Sequence, residues 1–327
     1  MWRGKMKNFV AIWYVSSLRL CNFNCSYCVS TGDFSKSKNK FWARSEDKSE
    51  FQQVVKWIGE LPFEIGLRMA TLGEPFTSKE FLIEASWLSK LEKIRFVELV
   101  TNGSLLKSRL PKFSEVADLS KFSLWVTYHH KQIEPERLID NILFAQEEYG
   151  CFAVLNALLF PENIEAVQKI RNLADTAGIR FNLDLGYDIS KGHYDRVEDM
   201  VPMLKLDNGK KQIIDMGIDP ELLEINLLSL GKVGGQVCSS GHDYFFIWIN
   251  GDVYPCSRYC SSDIDKLGNV LDPSFQLKLR THCWDKCKVE YGCSNKEDFL
   301  HMRYSQEKRY ISHRSLGWTD SIKGENS

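Results

Sequence analysis

The chain has 327 residues, a formal net charge of −1, and 43% hydrophobic and 12% aromatic content. That length and apolar share suit one large α/β domain with a small appendage. The near-zero charge removes any global electrostatic reason to expect a nucleic acid or an anionic membrane as partner. No secretory signal is expected, because Met1-Trp2-Arg3-Gly4-Lys5 leads into no long uncharged apolar run, and no stretch approaches a membrane span. The expected compartment is the cytoplasm, where thiols stay reduced. Ten cysteines there point to metal or catalysis rather than to disulfides.

In chain order, short β-prone runs alternate with longer amphipathic ones. Strands are expected at Phe9–Ser16, Gly66–Thr71, Arg95–Thr101, Phe122–Tyr128, Phe152–Phe160 and Arg180–Leu185. Helices are expected at about Glu46–Gly59, Lys79–Lys90, Pro135–Glu148 and Asn163–Ala177. Such alternation reads as a parallel sheet with crossover helices, and about six strands give an open, partial (β/α)6 TIM-like barrel with ligands at the C-terminal strand ends. From Lys191 to Leu230 the pattern is helical and irregular, as in a connector. In Tyr244–Tyr254 two β-prone runs flank Asn250-Gly251, a hairpin signal in which both turn positions tolerate positive φ. The segment from Tyr304 to Ser327 is polar and reads as a tail.

The cysteines fall into two groups and one singleton. Cys21, Cys25 and Cys28 lie in "LCNFNCSYC", directly after the first strand, and the next histidine is His129. A closed structural zinc site wants four ligands. Three thiolates can instead hold a four-iron cluster whose remaining iron stays open to a substrate or cofactor. C-x3-C-x2-C, with Tyr27 just before the third cysteine, resembles the signature of the radical S-adenosylmethionine (radical SAM) superfamily. The resemblance implies that the open iron chelates S-adenosylmethionine and that one electron from the cluster splits it into methionine and a 5′-deoxyadenosyl radical. That radical takes hydrogen from substrate, while the protein orients the cofactor and excludes side reactions.

Further segments fit the same family. Leu72-Gly73-Glu74-Pro75 resembles its Gly-Gly-Glu motif, with leucine in place of the first glycine, and implies that Gly73 and Glu74 hold the methionine amino group. Asn102 in Thr101-Asn102-Gly103, Thr127 and His129 at the end of the fourth strand, and Asn156 on the fifth stand where the family places cofactor contacts. Cys238 and Cys256, as C-x12-G-x4-C, followed by Cys283, Cys287 and Cys293 in "CWDKCKVEYGC", resemble the SPASM extension or its shorter twitch relative. The implied organisation is a barrel core over 1–190, a connector over 191–230, a SPASM or twitch domain over 231–303 and a tail over 304–327. The family's run is C-x2-C-x5-C-x3-C and a final cysteine. Here the first spacing is x3 and no cysteine follows Cys293, so six cysteines make one auxiliary 4Fe–4S cluster the simplest count. Cys238 and Cys256 are its firmest ligands, with two of Cys283, Cys287 and Cys293 completing it, and a second cluster would need non-cysteine ligands, such as Asp298, or an open iron. Cys260 is an extra, either a ligand or a thiol that returns hydrogen to a substrate radical. A zinc ribbon remains the alternative for this half.

Cys151 opens an apolar strand and reads as a small buried hydrophobe. Ser35–Lys40 reads as a solvated loop. The expected activity is hydrogen abstraction leading to oxidation or epimerisation of a small polar, sugar- or cyclitol-like molecule, with a flavodoxin- or ferredoxin-type electron donor. A peptide substrate is the runner-up. The first strand begins at about residue 8, which leaves no room for a leader-gripping domain. A non-catalytic iron–sulfur or zinc-stapled binding protein is the alternative from another class, and it predicts clusters closed by four protein ligands.

Overall fold

The computed structural model describes residues 9–28, 47–186, 206–216, 234–235, 237–238, 240–261, 264–280 and 285–289. Ser35–Lys40, Cys283, Cys293, Asp298, the 304–327 tail and most of the expected connector lie outside them. Six strands follow one another in the sheet: β1 (Val10–Ser16), β2 (Ile65–Thr71), β3 (Ile94–Thr101), β4 (Phe122–Tyr128), β5 (Phe152–Leu159) and β6 (Arg180–Leu185). Each pairs parallel with the next. The helices are α1 (Asp47–Glu60), α2 (Lys79–Ser89), α3 (Leu106–Ser114), α4 (Pro135–Tyr149), α5 (Ile164–Thr176) and α6 (Leu206–Asp215). Among the described residues no pairing joins β6 to the opposite edge, and the sheet is open there, as expected of a partial barrel. Among the described residues no helix is long and apolar enough to cross a membrane.

Local chemistry sets these elements. Ser78 caps α2 by accepting from the Phe81 amide at 3.1 Å. Pro135 opens α4, and Gly150, at φ +65°, closes it with its N–H on the Ala145 and Gln146 carbonyls. The strands are buried on both sides, as parallel strands under crossover helices must be. Helix α3 was not legible in the sequence: Leu105 offers no side-chain cap and Pro111 lies inside the helix. Burial of Leu106, Leu110 and Phe113 supplies what local propensity lacks. Cys151 is a buried core residue, as read, and burial pushes its thiol up to about 12.

The C-terminal strands depart from expectation. β7 (Val237–Cys238) pairs antiparallel with β11 (Asp285–Lys286) in a small sheet of their own. β8 (Tyr244–Ile247) and β9 (Asp252–Tyr254) form the expected hairpin, but β8 also pairs parallel with β1, from Ala11↔Tyr244 to Tyr14↔Ile247. With β10 (Gly268–Asn269) on β9, the main sheet has nine strands in the order β10-β9-β8-β1-β2-β3-β4-β5-β6. The first strand is therefore an interior strand. The turn also differs from a two-residue reversal. Trp248 N–H donates to Asp252 O and Gly251 N–H to Trp248 O, both at 2.9 Å, and Gly251 (φ +82°) alone of the turn pair has positive φ. This is a three-residue loop with glycine in its left-handed position.

Inside the barrel, Trp13, Arg68, Glu98 and Ser123 stand in register across β1–β4. Arg68 and Glu98 form a buried ion pair, with the guanidinium 5.7 Å from the Trp13 ring and 5.2 Å from the Trp125 ring. A buried pair of this kind is costly to break by removing one partner. It fixes the floor of the lumen one side-chain layer below Val100.

Asp252 ties the hairpin together. Its carboxylate accepts from Asn269 Nδ2 (2.7 Å), Asn250 Nδ2 (2.9 Å) and Lys266 Nζ (2.6 Å). Burial pushes the carboxyl up, but these donors outweigh it and hold the group below its ordinary value of 3.8. A depressed folded-state value contributes stability above the unfolded value, and that stability is lost as pH falls through the lower folded value. Asp252→Asn is expected to cost about 2 kcal/mol near neutrality. In thermal melts taken from pH 7 to below pH 3, the gap to wild type should close with acid; a gap independent of pH would refute the assignment.

Candidate active site

The loop after β1 carries Cys21, Cys25 and Cys28. It is held against the end of β2 by main-chain contacts. The Leu20 carbonyl accepts from the Glu74 amide at 2.8 Å and from Thr77 Oγ1 at 3.1 Å. Gly73 makes this approach possible, because a Cβ there would lie 2.3 Å from the Leu20 oxygen. The glycine of Leu72-Gly73-Glu74-Pro75 thus serves chain packing directly.

Glu74 is buried, and its carboxylate is used internally. Oε1 accepts from Thr101 Oγ1 (2.7 Å) and Phe76 N (3.1 Å), and Oε2 from Asn102 N (2.7 Å). It therefore caps the short helical turn Pro75–Thr77 and joins the end of β2 to the end of β3. Burial pushes its carboxyl up to about 7 against the pull of those three donors. Asn102 is likewise turned toward the loop. Its Nδ2 donates to Asn22 Oδ1 (3.0 Å) and approaches Cys21 Sγ (3.9 Å), while its Oδ1 accepts from Ser104 N and Oγ. Asn22 Nδ2 returns a bond to Ser104 Oγ at 2.8 Å.

The other side of the loop meets the end of β4. Gln132 Oε1 accepts from Asn24 N at 3.0 Å. Tyr27 stacks on His130 (centroids 4.9 Å apart, 10° between planes) and packs against Phe160. Its hydroxyl lies 3.4 Å from His129 Nδ1, which also lies 3.5 Å from Cys25 Sγ. Desolvation pushes His129 down to about 4, with His130 acting in the same direction, so the imidazole is neutral at physiological pH. Burial pushes the Tyr27 phenol up and the Cys21 thiol up to about 11.

These residues close on one cavity of about 300 Å³ at the C-terminal ends of the strands. Cys21, Cys25 and Cys28 line it, together with Tyr27, Gly73, Glu74, Asn102, Thr127 and His129. Arg19, Phe23 and Leu72 line it too, and carried no sequence signal of their own. Asn156 is the expected site residue that the cavity does not include. Its Oδ1 accepts from Asn182 Nδ2 at 2.7 Å, in register across β5 and β6, and Asn182 also reaches Asp184.

The second group gathers where β7, β11 and the short helix Ser257–Ser261 meet. Cys238 stands opposite Asp285, Cys256 immediately precedes the helix, and Cys260 lies one turn on, its N–H donating to Cys256 O at 3.2 Å. Cys256 and Cys287 lie close enough to Cys238 to raise its pKa, and Cys256 close enough to raise that of Cys287. Burial is nonetheless the larger cause, pushing Cys238 up to about 12 and Cys287 also upward. Tyr259 packs among them and accepts from Lys288 N at 3.0 Å. Cys260 packs both against this cluster and against the Val15–Ala70–Phe246 wall that includes Leu72 and Val100.

Among the described residues, no three His, Cys, Asp or Glu side chains converge on a single metal ion. A four-iron cluster makes a different demand, since each thiolate binds its own iron at a separate corner. Three thiols of one loop around a cavity fit that donor set, with space beside them for a further ligand.

No family model matches the chain, and no curated protein matches it. Solved structures do. The crystal structure of Streptococcus suis SuiB bound to S-adenosylmethionine is 13% identical, with a TM-score of 0.52 over 84% of this chain and 67% of that one. SuiB bound to the precursor peptide SuiA gives 14% and 0.50, over 82% and 64%. BtrN in complex with AdoMet and 2-DOIA gives 18% and 0.42, over 82% and 80%. At these identities the likeness is one of fold.

Two substitutions probe the junction. Gly73→Ala should push the cysteine loop off the end of β2 and lower the thermal unfolding midpoint; a wild-type midpoint would contradict the packing described. Glu74→Gln sets an amide N–H₂ against a backbone N–H and should cost about 1–3 kcal/mol, read by thermal or urea unfolding. An unchanged midpoint would show that the carboxylate is not the tie.

Proposed function

We propose that this chain is a radical SAM enzyme, in which Cys21, Cys25 and Cys28 hold a 4Fe–4S cluster and S-adenosylmethionine occupies the adjoining cavity. The observation that carries this reading is the convergence of all three thiols with Gly73, Glu74, Thr127 and His129 on one cavity at the C-terminal strand ends. The fold shared with SuiB, itself seen with S-adenosylmethionine, supports it. When bound, the cluster supplies the electron that splits S-adenosylmethionine into methionine and a 5′-deoxyadenosyl radical. The chain's own residues position and shield. Glu74 and Asn102 fix the loop, Gly73 leaves main chain open at the cavity wall, and Tyr27, Phe23 and Leu158 keep the lining largely apolar, which limits water beside a reactive carbon radical.

Cys238, Cys256 and Cys287, with Cys283 or Cys293 as the fourth member, are proposed to hold one auxiliary 4Fe–4S cluster. The raised pKa of the Cys238 and Cys287 thiols means that loading must release protons, so uptake should be favoured by alkaline conditions. The outcome proposed for the substrate radical is oxidation or epimerisation of a small polar molecule, with reducing equivalents from a flavodoxin- or ferredoxin-type donor. A peptide is the second reading, supported by the fold shared with SuiB, which is seen with its precursor peptide.

The test uses anaerobically reconstituted, dithionite-reduced full chain supplied with S-adenosylmethionine. About eight irons per chain, as two four-iron clusters require, and slow 5′-deoxyadenosine formation lost in Cys25→Ala are the expected results. Zinc in place of iron, or full iron without cleavage, would overturn the reading. Deuterium transfer into 5′-deoxyadenosine from labelled aminocyclitols or from labelled peptides then separates the two substrate classes.

A further inference from the structure

His129 stands just past β4, where the sequence pattern suggests a contact to the cofactor. Its Nδ1 points elsewhere. It lies 3.5 Å from Cys25 Sγ and 3.4 Å from the Tyr27 hydroxyl, both on the cysteine loop. The ring cannot easily turn away. Tyr27 lies parallel to it (centroids 5.9 Å, 16°), and Phe23 meets it edge-on (5.9 Å, 79°). Across the loop, Cys21 Sγ accepts from Phe23 N at 3.4 Å and has Asn102 Nδ2 at 3.9 Å. His129 thus comes closer to a sulfur of this loop than Asn102 does.

A coordinated thiolate presents only lone pairs to its surroundings. A ring nitrogen at hydrogen-bond distance is accommodated there in the tautomer that carries hydrogen on Nδ1. Hydrogen bonds to ligand sulfur draw off electron density and favour the reduced, more negatively charged state, which raises the reduction potential. On the functional reading given above, we propose that His129 is a positioning residue whose Nδ1–H donates to the Cys25 sulfur and raises the reduction potential of the cluster on this loop.

The test is a redox titration of the reconstituted full chain followed by electron paramagnetic resonance, without S-adenosylmethionine. The reporter is the signal that Cys25→Ala abolishes. His129→Phe keeps an aromatic ring in the stack and removes the donor, so the midpoint should move to a more negative potential at unchanged iron content. His129→Asn returns a side-chain N–H to this position, so its midpoint should lie closer to that of the wild type. A loosened loop would not be mended by the smaller amide. An unchanged midpoint in His129→Phe, a positive shift, or a negative one that His129→Asn does not narrow would overturn the proposal. Loss of iron from His129→Phe would mark the ring as structural and overturn it too. If Cys25→Ala abolishes no signal, the functional reading itself fails and the inference falls with it.

Discussion

The Leu20 carbonyl is the point on which the site depends. One oxygen accepts from the Glu74 amide and from Thr77 Oγ1, and so pins the cysteine loop to the end of β2. Glu74 carries the tie onward through Thr101 and Asn102 to β3, and Asn102 carries it back through Asn22 to the loop. The result is a closed ring of hydrogen bonds that holds the loop at Leu20 and Asn22, on either side of Cys21. At its buried Glu74 end an orphaned donor or acceptor costs more than any single bond gains, so that end holds as a unit.

This arrangement changes the meaning of the polar residues at the strand ends. The sequence marks Gly73, Glu74, Asn102, His129 and Asn156 as cofactor contacts. In the structure, Gly73 gives room to a carbonyl, Glu74 and Asn102 bind the loop, His129 faces a sulfur and Asn156 bonds across to β6. All but Asn156 still line the cavity. Much of their polarity is spent on holding the cysteine loop.

How far the sequence could be read follows from which forces act locally. Strands β1 to β6 were legible to within about a residue, because fully buried parallel strands leave near-continuous apolar runs and their helices carry a regular stripe. Cys21, Cys25 and Cys28 were marked as one group by their close spacing, and they do line one cavity. Helix α3 was not, because its stability comes from packing of Leu106, Leu110 and Phe113 rather than from caps or propensity. The pairing of β8 with β1 was not either, since nothing near Tyr244 in the chain records a partner at Ala11. Tyr27 was marked by position, but its stack on His130 and the approach of His129 to Cys25 are tertiary facts that no local pattern encodes.

The insertion of β1 between β2 and β8 has a consequence for how the chain comes to be made. β1 leaves the ribosome ahead of β2, but the strand that covers its other flank arrives only with Tyr244. Until then the nascent sheet carries a long apolar strand with an unsatisfied row of main-chain donors and acceptors. Such a flank recruits neighbouring chains, and closing it late over so long a loop is slow. The C-terminal hairpin therefore acts as a late-arriving cover for the most vulnerable strand of the molecule. Removing it would leave a chain that is hard to keep out of aggregates even if every residue around the first three cysteines were intact.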